Sequence, residues 1–165
     1  MKNIKNNLLL ILLLILAASF KTDKTDFSGT WVINMTKSKF GDAPAYTAAK
    51  QIKVVQSNDQ IELENTIIGD TQDSTARMTI PFNEKGLTLT DGEGHKRVIT
   101  TDWLSGNEVL NITSSVKFKD DSGSEEYQSA ERRSLSEQGR VLTISKKVSA
   151  YSGFEYSITA IYDKK

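Results

Sequence analysis

The sequence predicts an all-β protein, an antiparallel up-and-down β-barrel of about 8–10 strands. Apolar and polar residues alternate in short runs along nearly the whole chain after its first twenty residues. Turns bearing Gly or Asp separate those runs at even spacing, as in a meander. No run past the leader has the period of a helix of ordinary length. Such a meander leaves two raw edges, and closing on itself hides them more fully than stacking two sheets.

Residues 1–19 read as a signal peptide. Lys2 and Lys5 give a basic start, Leu8 to Leu16 is an unbroken apolar run, and Ala17-Ala18-Ser19 supplies small residues for cleavage before Phe20. That run is shorter than the roughly 20 residues needed to span a hydrocarbon core. An uncleaved anchor is the alternative. The protein is therefore expected in the periplasm or secreted, not embedded in a membrane once the leader is gone. Residues 20–26, Phe-Lys-Thr-Asp-Lys-Thr-Asp, read as a polar, mobile spacer. Residues 27–165 are then one barrel domain, large enough to bury a core without staples. The chain has no Cys, so burial and strand pairing must hold it together. Its 21 basic and 21 acidic residues cancel, which excludes the electrostatic footprint of a nucleic-acid binder.

Gly29-Thr30-Trp31-Val32-Ile33-Asn34 reads as the first strand. Trp31 and Ile33 share its inner face, with Trp31 closing the barrel floor, and Gly29 lets the backbone pass close to a large side chain. Between Asn34 and Lys50 the alternation stops. Met35 to Gly41 suits a single helical turn, Pro44 forces a break, and Ala45 to Lys50 suits a short helix or ordered loop. A connection this long fits a lid over one end of a barrel.

Strands then follow without interruption. Ile52 and Val54 open one. Ile61, Leu63, Asn65 and Ile67 share the face of the next, and Ala76, Met78, Ile80 and Phe82 that of the third. Pro81 falls at a strand end, where its missing donor is tolerated. Leu87 to Thr90 and His95 to Leu104 flank the hairpin signal Asp91-Gly92-Glu93-Gly94. Leu110, Ile112, Val116 and Phe118 are in phase, then Tyr127, Ser129, Glu131, Arg133 and Leu135, then Leu142, Ile144 and Val148, and last Phe154, Tyr156, Ile158, Ala160 and Tyr162. An outer-membrane barrel is set aside. The strands read as too short for one, and their other faces are rich in Glu, Lys, Arg and Thr, which lipid does not tolerate.

The segment Phe27 to Asn34 with Lys37-Ser38-Lys39-Phe40, and the later Glu131 to Ser136 with Gly139 to Ile144, resemble small exported lipocalin-like proteins of Bacteroidetes. Gly29-x-Trp31 also looks like the first-strand motif of the lipocalin and fatty-acid-binding superfamily. Two departures stand out. Arg133 occupies a position where that group usually has an aromatic residue, and the chain ends just past its last strand, where lipocalins proper carry a helix. The resemblance implies a cavity protein for a small apolar or amphipathic ligand.

Nothing in the sequence forms a catalytic signature, so the protein is not expected to be an enzyme or to carry a cofactor. His95, the one His, reads as a surface turn residue, and alone it cannot build a multi-imidazole metal site. No Ser lies in a nucleophile elbow. Asp70 to Asp73 and Asp120-Asp121-Ser122-Gly123 lack the spacing of a calcium loop. The informative feature is polar side chains on the apolar phase: Asn65, Ser114, Glu131, Arg133 and Lys146. A solid core would be heavily destabilised by them, whereas in a hollow barrel such groups orient a ligand. Arg133 is the candidate contact for a carboxylate or phosphate. Glu131, Asn65, Trp103, Tyr127 and Tyr156 complete the expected ligand-binding set. The alternatives are that these groups face solvent, that Glu131 and Arg133 satisfy each other, or that the protein is a non-catalytic module of the cell envelope that contacts other proteins. The sequence leaves oligomeric state open.

Overall fold

The computed structural model describes residues 23–69, 72–120, 123–136, 138–150 and 152–165. The leader and the Asp70–Asp73 and Asp120–Gly123 turns lie wholly or partly outside the described residues. Ten strands follow one another: β1 (Gly29–Ile33), β2 (Gln51–Gln56), β3 (Gln60–Ile67), β4 (Ser74–Pro81), β5 (Leu87–Thr90), β6 (Lys96–Leu104), β7 (Val109–Asp120), β8 (Gly123–Ser136), β9 (Val141–Ala150) and β10 (Glu155–Lys164). All pair antiparallel in the single order β4-β3-β2-β1-β10-β9-β8-β7-β6-β5.

The first strand closes the meander. Trp31 stands opposite Ile52 of β2 on one side and Lys164 of β10 on the other. The barrel is nearly closed, not fully: among the described residues no ladder joins β4 to β5. Side chains span that seam near one end. The Thr101 hydroxyl reaches the Pro81 carbonyl at 3.4 Å, and Phe82 packs edge-on against Trp103 with centroids 5.5 Å apart.

The end nearest Trp31, the base, is solid. Trp31, Phe27, Ile61, Ile80, Leu110 and Leu142 are all fully buried, each contributing about 1.5–3 kcal/mol relative to exposure. The indole N–H of Trp31 donates to the Phe27 carbonyl at 2.9 Å. Gly29 has φ +143, and a Cβ there would sit 2.7 Å from Cε of Lys164, whose ammonium lies 5.1 Å from the Trp31 ring centroid. The close approach expected at Gly29 is therefore made by Lys164.

Residues 24–27, the end of the expected spacer and the start of the domain, are tied across this base. The Thr25 amide donates to the Asn107 carbonyl (2.9 Å), and the Gln56 side chain donates to the Thr25 carbonyl (2.8 Å). The Lys24 ammonium donates to the Asn58 carbonyl at 3.2 Å and lies 4.7 Å from the Phe82 ring centroid. The strap thus joins the β2–β3 turn to the β6–β7 turn.

Residues 34–50 form a cover over part of the interior, which Thr47, Ala48 and Ala49 line. Asn34 caps a single turn, its side-chain oxygen accepting from the Lys37 amide at 3.2 Å. Lys39 then pairs with Thr159 of β10 through two backbone hydrogen bonds of 2.8 Å. A 3₁₀ turn, Ala45–Thr47, follows Pro44 and delivers Ala48 into the interior.

β7 and β8 run to 12 and 14 residues, long enough for strands that span an outer membrane. Strand length is therefore no bar to an outer-membrane barrel, while the polar outward faces remain one: Thr113, Ser115 and Lys117 on β7, and Ser145, Lys147 and Ser149 on β9. Among the described residues no helix is long and apolar enough to cross a membrane.

Candidate ligand cavity

Register places the interior side chains in rows that change character from base to mouth. The first is Trp103–Leu110–Arg133–Ile144–Ala160 and the second Thr101–Ile112–Glu131–Lys146–Ile158. The third is Ile99–Ser114–Ser129–Val148–Tyr156. Polar groups enter at the first row and multiply toward the mouth because each falls on the inward phase of a strand whose neighbours are apolar.

Two chambers lie above the solid base. The inner one, about 130 Å³, is covered by Thr47 and Ala48 and walled by Asn65, Glu131, Arg133, Lys146 and Tyr162. The Arg133 side chain is only 3% exposed. Its Nε donates to Oε1 of Glu131 at 2.7 Å and its Nη2 to the same oxygen at 2.5 Å. Its Nη1 is buried and unpartnered, as is the side-chain oxygen of Asn65. A buried polar group without a partner costs about 1–3 kcal/mol. The Tyr162 phenol is pushed far above its ordinary value, chiefly by burial and then by the nearby Glu131, so it stays neutral. Arg133 and the Ala49 backbone act the other way.

The outer chamber, about 700 Å³, opens at the mouth. Lys146 lines both chambers. No carboxylate lies within 4 Å of its ammonium among the described residues. With Arg133 and Glu131 cancelling, the inner polar row keeps one net positive charge.

Aromatic side chains form the outer walls. His95 packs on Phe118 with centroids 4.8 Å apart, and Phe118 meets Tyr127 edge-on at 5.5 Å. The Tyr127 hydroxyl donates to Glu125 at 3.0 Å, and across the chamber Tyr156 packs on Phe154 at 5.7 Å. Asp91 fixes His95: one carboxylate oxygen lies 2.9 Å from the ring Nδ1, and the other accepts the His95 amide, also at 2.9 Å. The His95 side-chain hydrogen bond is the main cause holding the Asp91 carboxyl below its ordinary value.

Of the residues expected from sequence, Arg133, Glu131 and Asn65 meet in the inner chamber, and Tyr127 and Tyr156 line the outer one. The mutual satisfaction of Glu131 and Arg133, held open in the sequence reading, is realised for two of the three guanidinium nitrogens. Trp103 lines neither chamber. It sits in the base, stacked on Phe27 at 6.1 Å and against Phe82. Sequence reasoning missed Arg97 and His95 as cavity residues. Arg97 was recoverable, since it lies two positions from the buried Ile99 and so shares its face. His95 does belong to a turn, but its ring folds inward and is 19% exposed. Among the described residues no three His, Asp or Glu side chains converge as metal ligands do.

No protein-family model, curated protein or solved structure matches the chain. The functional reading therefore rests on the geometry of the cavity.

Proposed function

We propose that this is an exported, lipocalin-like binding protein that encloses a small, partly apolar ligand, without catalysis, in the periplasm or outside the cell. One observation carries the reading. Two buried polar atoms, Arg133 Nη1 and the Asn65 side-chain oxygen, are left without partners beside a cavity that reaches the mouth past Lys146. Folding alone gives no reason to keep such groups unsatisfied, whereas a ligand head group that accepts from Arg133 would complete its Nη1, and a donor on the ligand would complete the Asn65 oxygen. The leader, the Gly29-x-Trp31 motif and the closed β1–β10 pairing support the same reading.

The test is native mass spectrometry of the exported protein, before and after delipidation. A bound species of a few hundred daltons, lost on delipidation and absent from Arg133→Met, is the expected result. A protein that is always empty, and that takes up no small molecule from a mixed extract, would overturn it in favour of an envelope contact module.

A further inference from the structure

We infer that the enclosed ligand is a hydroxyl-bearing aromatic monocarboxylate, held carboxylate-first against Lys146 with its ring in the outer chamber. This rests on the enclosure reading above and narrows it.

Five features of the interior lead there. The base is filled by Phe27, Trp31, Leu110 and Leu142, all fully buried, so no apolar channel runs below the polar row to receive a chain. The inner chamber of about 130 Å³ has room for about four water-sized groups, enough for a head group and no more. Lys146 lines this chamber as well as the outer one, and Arg133, whose Nη1 has no partner and whose charge is already neutralised by Glu131, lines its wall. One net cation suits one anion, and two donors suit the two oxygens of a carboxylate.

The outer chamber then decides the body of the ligand. Its walls set Phe118, Tyr127 and Tyr156 among Ser114, Ser129 and Arg97. An acyl chain lying there would cover two hydroxyls and a guanidinium while offering them nothing. A flat ring offers its faces to the aromatic walls and its polar edge to the hydroxyls. Charge changes sign along the path. The cation Lys146 is at the inner end, while the carboxylates Glu93 and Glu125 stand at the mouth, beside Arg97 and His95. Carboxylates accept hydrogen bonds, so the outer end of the ligand is matched by hydroxyl donors, not by a second anion.

The experiment is isothermal titration calorimetry of the exported protein with four probes: 4-hydroxycinnamate, the corresponding neutral alcohol, palmitate and glucuronate. We expect 1:1 binding of 4-hydroxycinnamate, at least tenfold tighter than the alcohol and than either other probe. Lys146→Met and, as a check against misfolding, Lys146→Gln should each abolish the preference for acid over alcohol while leaving the melting curve in place. Phe118→Leu should weaken acid and alcohol by the same factor. If palmitate or glucuronate binds best, or acid and alcohol bind alike, the inference is overturned while enclosure stands. If no probe binds but native mass spectrometry finds a bound species, the inference is again overturned alone. If no probe binds and the protein is always empty, enclosure falls with it.

Discussion

The base and the mouth of this barrel are cut from the same strands, and the same period of two runs through both. β8 carries Leu135 into the base and Glu131 into the cavity four residues away. β9 likewise carries Leu142 into the base and Lys146 into the cavity. At the base the inward positions are apolar, a strap of chain seals the outside, and the indole N–H of Trp31 has its acceptor, although that of Trp103 is buried without one. At the mouth the inward positions hold Ser, Lys, Arg and Glu, and polar atoms remain unpartnered. The difference is one between stability and capacity. The first region supplies the free energy that lets the second stay hollow and under-satisfied.

Substitutions can break that contrast, and the largest effect belongs to the base. Trp31→Ala removes the largest buried side chain together with its hydrogen bond to Phe27 and should cost about 3–5 kcal/mol in urea unfolding. A loss below 1 kcal/mol would mean the base is not the stabilising half.

Next comes the ion pair between the regions. Arg133→Met leaves the Glu131 carboxylate without its partner and should cost about 2 kcal/mol, less than for a fully buried pair because the Glu131 side chain is 22% exposed. The double variant Glu131→Gln with Arg133→Met should recover at least half of that in the same unfolding assay. Equal losses in single and double variants would show that packing, not the stranded charge, sets the cost.

Asn65→Val should go the other way, leaving stability unchanged or raising it by up to about 1 kcal/mol, because it deletes a buried acceptor that has no donor. A clear destabilisation would place Asn65 in the structural half of the molecule.

The smallest effect concerns the strap. Ser28 holds the Asp26 carboxyl below its ordinary value of 3.8, first through its hydroxyl and then through its amide at 2.9 Å; Lys164 adds a little and partial burial opposes. A folded value below the unfolded one gives stability that is complete above the unfolded value and lost as pH falls through the folded one. Amide exchange across Thr25 to Phe27 should therefore quicken below about pH 4. In Ser28→Ala, the Asp26 titration followed by NMR should move up. An unchanged midpoint would remove Ser28 as the cause.

The strands themselves were legible because burial on one face of a pleated ribbon writes itself into sequence as alternation. Most inward positions from Ile52 to Tyr162 could be read that way; Phe154, assigned to the inner face with Tyr156, is instead 55% exposed. So could the presence of Asn65, Glu131, Arg133 and Lys146 among apolar neighbours, since a polar residue in an apolar phase is visible without coordinates. The expected lid and the closure of β1 on β10 also followed, one from a long irregular connection and the other from the need to hide edges.

What the sequence could not hold was depth along the barrel axis. Period two assigns a face and says nothing of height, so Trp103 and Tyr127 read alike although one is packed into the base and the other lines the outer chamber. The open seam between β4 and β5, the strap from Lys24 to Phe27 and the inward fold of His95 depend on residues far apart in the chain meeting in space. Local alternation alone determined which side chains turn inward. Strand tilt and register, which only the tertiary structure sets, decided which of them fill the core and which enclose a cavity.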